Sequence, residues 1–345
     1  MQKRFTRVAV AFFIGSIMVL QGCKKEDTLG IDNDKIIRTP YSLFAGTDQG
    51  WLVKTNDAER YTAVFPSDGY AAAALLTCKT NLLFVKNNVH LSENDGQNFN
   101  PVFYKVRKQP WQEMIVNAEQ QGRIYITSTE GRGVSYSEDT GKTWVRDDNW
   151  EENPPPNTEV TSFTVTDDGA VYAFSYKNFV LLKRGGAGDA WTTVTTTGMF
   201  PPEDAQYFIT SSGNTLYLTD YSGKYDVWHS EDGGVTWARY FRSLMPYRTH
   251  YNTAAAATGG PLLVGTDSFG VFRAEGNMMV PSSGGLDQIT SVYRIVVKKN
   301  IYKNGATHEY VFMATSNGIY RSEDKGYNWD KMTSGEFERK YTSLY

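Results

Sequence analysis

The sequence predicts an all-β chain built from seven four-stranded units, and three observations carry that expectation. One phrase recurs nearly intact at Ser137-Glu138-Asp139-Thr140-Gly141-Lys142-Thr143-Trp144, at Ser230-Glu231-Asp232-Gly233-Gly234-Val235-Thr236-Trp237 and at Ser322-Glu323-Asp324-Lys325-Gly326-Tyr327-Asn328-Trp329. Degenerate copies of the phrase fill the intervals between and before these three. The Trp-equivalent positions 61, 99, 144, 191, 237, about 281 and 329 lie 38 to 48 residues apart. That period suits a unit of four strands and is too long for ankyrin or leucine-rich repeats.

Each phrase reads as a hairpin connector. A Ser and an Asp two residues apart can bond nearby backbone N–H groups and hold a loop closed. The Gly takes a backbone conformation that a side chain would penalise. The Trp then opens the next strand with a large ring to bury. Ser137, Asp139, Gly141 and Trp144, with Ser230, Asp232, Gly234, Trp237, Ser322, Asp324, Gly326 and Trp329, are therefore read as structural.

Taken in order, unit one holds Ser42 to Thr47 and Gly50 to Val53, with Asn56 and Tyr61 at the Asp and Trp positions. Unit two substitutes Asn94 for the Asp and Phe99 for the Trp. Unit three is the copy at Ser137. Unit four keeps only Gly188 and Trp191, yet shows its four strands openly at Thr161 to Val165, Val171 to Ser175, Phe179 to Lys183 and Trp191 to Thr195. Unit five is the copy at Ser230, unit six has an eroded turn after Gly270 to Arg273, and unit seven is the copy at Ser322. Aromatic and β-branched residues alternate with polar ones through these segments, as half-buried strands require. Unit one lacks an obvious innermost strand, while Tyr341 to Tyr345 continue past the last unit with strand-like alternation. Residues 340–345 are expected to supply that strand and so close the ring, removing an open edge. The rival is Lys35 to Arg38.

The N-terminus reads differently. Lys3, Arg4 and Arg7 precede an apolar run, Val8 to Leu20, which is shorter than the ~20 residues of a membrane-spanning helix and fits a signal-peptide core. Leu20-Gln21-Gly22-Cys23 resembles the lipobox of bacterial lipoproteins. The resemblance implies cleavage before Cys23 and a lipid on its sulfur; the alternative is an ordinary secretory signal. Lys24-Lys25-Glu26-Asp27 resembles the charged tract of Bacteroidetes-type surface lipoproteins. The expected division is a signal peptide at 1–22, a lipidated tether at 23–35 and one domain at 36–345.

Of 35 basic and 38 acidic residues, the signal removes three basic ones, leaving 32 against 38. A net charge of −6 offers no basic face for nucleic acid. Cys78 is the one cysteine besides Cys23, so no disulfide framework exists and packing must hold the fold. Four scattered histidines lack the spacing of a zinc site. No phosphate loop, dinucleotide fingerprint or G-x-S-x-G occurs. No cofactor or metal is expected, and the chain is read as a monomer that meets the membrane through its lipid alone.

The recurring phrase resembles the Asp-box, or BNR, repeat of β-propellers such as those of sialidases, xyloglucanases, sortilin-type receptors and photosystem assembly factors. The resemblance implies a seven-bladed β-propeller with the Asp-boxes on the face away from any functional site. The opposite face then carries Trp111, Trp150, Tyr221, Tyr247, Arg248 and Tyr251 among charges and prolines, which suits docking of a glycan or a partner protein. A blander reading gives these aromatics to the covered ends of the blades. The alternative function is an exo-acting glycoside hydrolase, sialidase-like or xyloglucanase-like, with Asp220, Glu130, Arg248 and Tyr221 as candidate catalytic residues. Arg38-Thr39-Pro40 is similar to the sialidase Arg-Ile-Pro motif with its middle residue changed. No spacing singles out a pair of carboxylates.

Overall fold

The computed structural model describes residues 36–55, 62–66, 73–151, 154–155, 157–198, 202–242, 249–282, 284–286 and 291–345. Seven antiparallel sheets, each an up-and-down run of four strands, make a seven-bladed β-propeller. From the innermost strand outward, blade 1 is Tyr341–Leu344, Leu43–Thr47, Trp51–Thr55 and Thr62–Pro66. Blade 2 is Ala74–Cys78, Asn81–Val85, Val89–Ser92 and Asn100–Phe103. Blade 3 is Ile115–Ala118, Arg123–Thr127, Val134–Ser137 and Val145–Arg146. Blade 4 is Ser162–Val165, Val171–Ser175, Val180–Arg184 and Thr192–Val194. Blade 5 is Tyr207–Ser212, Thr215–Asp220, Val227–Ser230 and Ala238–Phe241. Blade 6 is Tyr251–Ala255, Leu263–Thr266, Val271–Glu275 and Met278–Pro281. Blade 7 is Val292–Tyr302, Thr307–Thr315, Gly318–Ser322 and Asp330–Lys331, with Ile37–Thr39 added beyond its inner strand.

The second strands Leu43–Thr47, Asn81–Val85 and Val171–Ser175 are buried at every position, because each sheet is covered on both faces by its neighbours. The core therefore lies between blades. Tyr172, Phe174 and Leu181 of blade 4 interdigitate with Tyr207, Ile209, Leu216 and Trp237 of blade 5.

The ring closes through the C-terminus. Ala45 pairs with Leu344 and Gly46 with Ser343, and Phe44 and Tyr345 exchange backbone hydrogen bonds of 2.7 and 2.8 Å. Of the rival segment Lys35 to Arg38, residue 35 lies outside the described residues, and Ile37 and Arg38 fall in the strand Ile37–Thr39, which pairs instead with the far end of blade 7's inner strand, Ile37 opposite Tyr302.

The three intact phrases fold alike. Ser137 donates to Asp139 (2.8 Å) and accepts from the Gly141 N–H (2.9 Å), while Asp139 takes the Thr143 N–H (2.8 Å). The same set recurs at Ser230/Asp232 and at Ser322/Asp324. Gly141, Gly234 and Gly326 have φ of 93°, 92° and 95°. A Cβ at these glycines would meet Leu83, Leu181 and Leu263 of the preceding blade at 2.6, 2.2 and 2.6 Å. The glycine is thus required twice, by its backbone angle and by the neighbouring leucine. The Asn56 and Tyr61 equivalents of unit one lie outside the described residues.

Blade 4 has no Ser–Asp turn and uses a different device. The Arg184 guanidinium donates to Asp147 at 2.6 Å, with both side chains 1% exposed. Trp191 Nε1 donates to the same carboxylate at 2.8 Å. Arg184 also lies over the Trp191 ring, 5.0 Å from its centroid.

Candidate functional site

Strands alternate in direction, so the connections fall on two faces. The turn face carries the Ser–Asp turns and the links between first and second strands. The loop face carries the links between second and third strands and those joining successive blades. The described candidate residues expected opposite the turns lie in connections of the loop face or, for Asp220 and Tyr251, at the strand ends that meet it, but the structure separates them by depth.

Trp111, ahead of blade 3, is 2% exposed. Its Nε1 donates to the Thr161 carbonyl at 3.0 Å, and it stacks on Phe208 with centroids 5.6 Å apart. Tyr176 and Tyr221 meet it edge-on. Tyr251 is fully buried, its hydroxyl against the Met279 sulfur at 3.5 Å. Both rings form the floor beneath the loop face and present no surface to a ligand.

Asp220 is also fully buried. Its carboxylate accepts the N–H groups of Gln206 (3.0 Å), Lys224 (3.1 Å) and Tyr225 (3.1 Å), and the Ser222 hydroxyl. It anchors the loop that presents Tyr221. Glu130 sits at the rim in an ion pair with Lys105. Tyr247 and Arg248 lie outside the described residues.

Two clusters reach the surface. Tyr221 stacks on His250 with centroids 4.7 Å apart. Asp267 accepts from Thr249 and Ser268, and His250 Nδ1 lies 3.0 Å from it. Burial pushes the Asp267 carboxyl up, but the bonds from Thr249, His250 and Ser268 outweigh it and hold the group below the ordinary carboxylate range. Burial, with a smaller push from the Asp267 charge, raises the Tyr221 hydroxyl. In the second cluster, half-buried Trp150 rests on Trp191, with the Arg132 guanidinium 5.9 Å from its ring centroid.

Two further acids of this face are engaged in ion pairs. Glu159 lies between Arg107 (2.9 Å) and Lys177 (2.5 Å), and the Lys177 bond, aided by the Arg107 charge, holds its carboxyl down against the opposing effect of burial. Asp204 is held down by Lys224 and Tyr225.

A third region was not expected. The inner strands enclose a channel of about 310 Å³ lined by Phe163, Thr164, Ser211, Ala254–Ala256, Val296 and Tyr345, with Glu113, Arg294 and Lys298 among them. Glu113 pairs with Arg294 across the channel. The available signal was a charge pattern: Arg294 and Lys298 interrupt an otherwise apolar strand, Tyr293-Arg294-Ile295-Val296-Val297-Lys298. Among the described residues no three His, Cys, Asp or Glu converge as a metal site, and no helix is long and apolar enough to cross a membrane. Cys78 is free and half-buried, with burial raising its thiol.

No protein-family model matches the chain, and no curated protein matches it. Solved structures do. The BT4673 extracellular domain of B. thetaiotaomicron aligns with a TM-score of 0.52 at 12% identity, over 86% of this chain and 46% of that one. The chain thus spans about half of that neighbour's length. Selenomethionine-substituted virginiamycin B lyase from Staphylococcus aureus aligns with a TM-score of 0.50 at 15% identity, over 80% and 94%. YCF48 bound to D1 peptide aligns with a TM-score of 0.49 at 11% identity, over 79% and 93%. The first two are β-propellers, and identities this low establish the shared fold alone.

Proposed function

We propose that the protein is a lipid-anchored surface propeller that binds a glycan or a partner protein through its loop face, around Tyr221–His250 and Trp150–Arg132. One observation supports this reading above the rest, the place where the chain enters the fold. Blade 7's first two strands are paired from Val292 opposite Thr315 out to Ile301 opposite Thr307. The third strand stops at Ser322, opposite Val311 and hence level with Val297. The last five residues of the inner strand therefore run roughly 15 Å beyond the level at which the third strand ends, at ~3.3 Å per residue. Ile36 is held at the tip of that projection, its carbonyl accepting the Lys303 N–H at 2.8 Å. Ile36 thus lies on the turn-face side, so an anchor at Cys23 held on that side would leave the loop face toward solvent.

The loop face then offers aromatic faces beside fixed polar groups, a combination suited to sugar rings and to peptide side chains. Binding rather than hydrolysis is the reading adopted here. A glycosidase needs a carboxylic acid kept protonated by a raised pKa, a role that does not suit Glu159, Asp204 or Asp267, each of which is held down.

The test is a titration of the full chain against host and plant polysaccharides and sialosides, with product analysis in parallel. Saturable binding without turnover, weakened at least fivefold by W150A or H250A, is the expected result. Release of reducing ends would replace the reading with the hydrolase alternative, and binding indifferent to both substitutions would remove the loop face. Mass spectrometry of the protein from its own cells should find a lipidated Cys23 at the N-terminus.

A further inference from the structure

The central channel contains a charge imbalance that the fold does not explain. Arg294, Val296 and Lys298 alternate along blade 7's inner strand, and their register against Ala314, Phe312 and Tyr310 is regular, so all three share one face of the sheet. Arg294 is paired with Glu113, which is 5% exposed. That pair leaves Glu113 Oε2 and Arg294 Nε buried without a hydrogen-bond partner. Lys298 has no carboxylate partner among the described residues, and its ammonium lies 3.8 Å from the Tyr345 ring centroid. Two cationic side chains and one side-chain carboxylate therefore face the same cavity. Packing alone would favour apolar residues here, since burying an unpaired charge is costly.

The remaining wall is mixed. Phe163, Val296 and Ala254–Ala256 supply apolar surface, while Thr164 and Ser211 bring hydroxyl oxygens 2.7 Å apart. The volume of about 310 Å³ falls at the lower end of small-ligand pockets. We propose that the channel binds a small hydroxylated carboxylic acid of monosaccharide size, its carboxylate completing the charge balance at Lys298 and its hydroxyls meeting Thr164, Ser211 and the free Glu113 oxygen. Burial, with the Arg294 charge as a smaller effect, lowers Lys298 to about 8. A counter-anion would reverse that shift. The groups facing this ammonium are Arg294, Glu113 and Tyr345. This site is separate from the loop-face clusters and stands or falls without them.

The experiment is a calorimetric titration of the full chain with glucuronate and with glucose as its neutral counterpart. Glucuronate should bind at least tenfold more tightly than glucose. K298M should lose at least tenfold of that affinity, while K105M on the loop face leaves it unchanged. If K298M does not fold, reductive ¹³C-methylation of the wild-type lysines gives an independent readout. One methyl-lysine signal with an apparent pKa near 8 should shift on adding glucuronate and not on adding glucose. Equal affinity for the two sugars, no binding by the wild type, full binding by K298M, or shifts confined to ordinary surface lysines would each overturn the proposal.

Discussion

Blades 3, 5 and 7 and blade 4 solve one structural problem in opposite ways. Each must fix the turn between its third and fourth strands and seat it against the preceding blade. In the first group the means are local: Ser and Asp bond backbone groups no more than four residues away, and a glycine lets the previous blade's leucine approach. Blade 4 gives up that turn and draws on Asp147, 37 residues from Arg184 in sequence, to hold Arg184 and Trp191 together. Blade 1 goes further still, taking its inner strand from the other end of the chain. Local devices can be repeated because a short phrase encodes all of each. Long-range ones occur once, since they depend on two segments that only the fold brings together.

The largest effect should come from removing the longest-range device. Deleting residues 338–345 strips blade 1 of its inner strand and exposes the backbone edge of Leu43–Thr47, an invitation to pair with another chain. Soluble monomer should fall to a small fraction of wild type, measured by size-exclusion chromatography after refolding. A shortened chain with unchanged melting temperature would show that the local turns suffice.

Next comes the buried pair. D147A leaves the Arg184 guanidinium buried without its carboxylate and should cost about 3–5 kcal/mol. The double variant D147A/R184M should recover part of that loss, because the unpaired charge is gone. Urea unfolding of the two single variants and the double variant measures the coupling, and strict additivity would mean the pair acts as two independent groups.

Two glycines sharpen the contrast at a smaller scale. Gly326 has φ of 95° and a leucine 2.6 Å from any Cβ, whereas Gly276, in the eroded turn of blade 6, has φ of 60° and open space. G326A should cost about 2–4 kcal/mol from backbone strain plus overpacking, and G276A about 1 kcal/mol from strain alone. Equal losses would mean that packing against the preceding blade contributes nothing at the turn.

The smallest effect is electrostatic. Hydrogen bonds from the Thr236 hydroxyl and N–H hold Asp232 at about 2, below the ordinary value of about 3.9. A carboxyl depressed on folding contributes stability above its unfolded pKa and loses it as pH falls through the folded one. The contribution should therefore fade between about pH 4 and pH 2. Asp232 is solvent-exposed, so screening keeps the effect modest. D232N should flatten the acid limb by slightly lowering the neutral plateau while leaving stability near pH 2 unchanged, a comparison that thermal melts from pH 2 to 7 would make.

Turn chemistry and strand periodicity act within a few residues, and this is why they can be read along the chain. The three Ser–Asp phrases, the 38-to-48-residue spacing and the alternation at Tyr341 to Tyr345 sufficed for seven blades and for the closing strand. The loop-face set was legible as residue types but not as depth. Trp111, Tyr251 and Asp220 resemble Trp150 and Tyr221 in sequence context, yet the first three are buried and the other two reach the surface. Burial depends on what neighbouring blades place above a side chain, and no local pattern records that. The Arg184–Asp147 pair and the Glu113–Arg294 pair across the channel lay beyond reach for the same reason. Glu113 and Arg294 are 181 residues apart, and only closure of the ring sets one against the other.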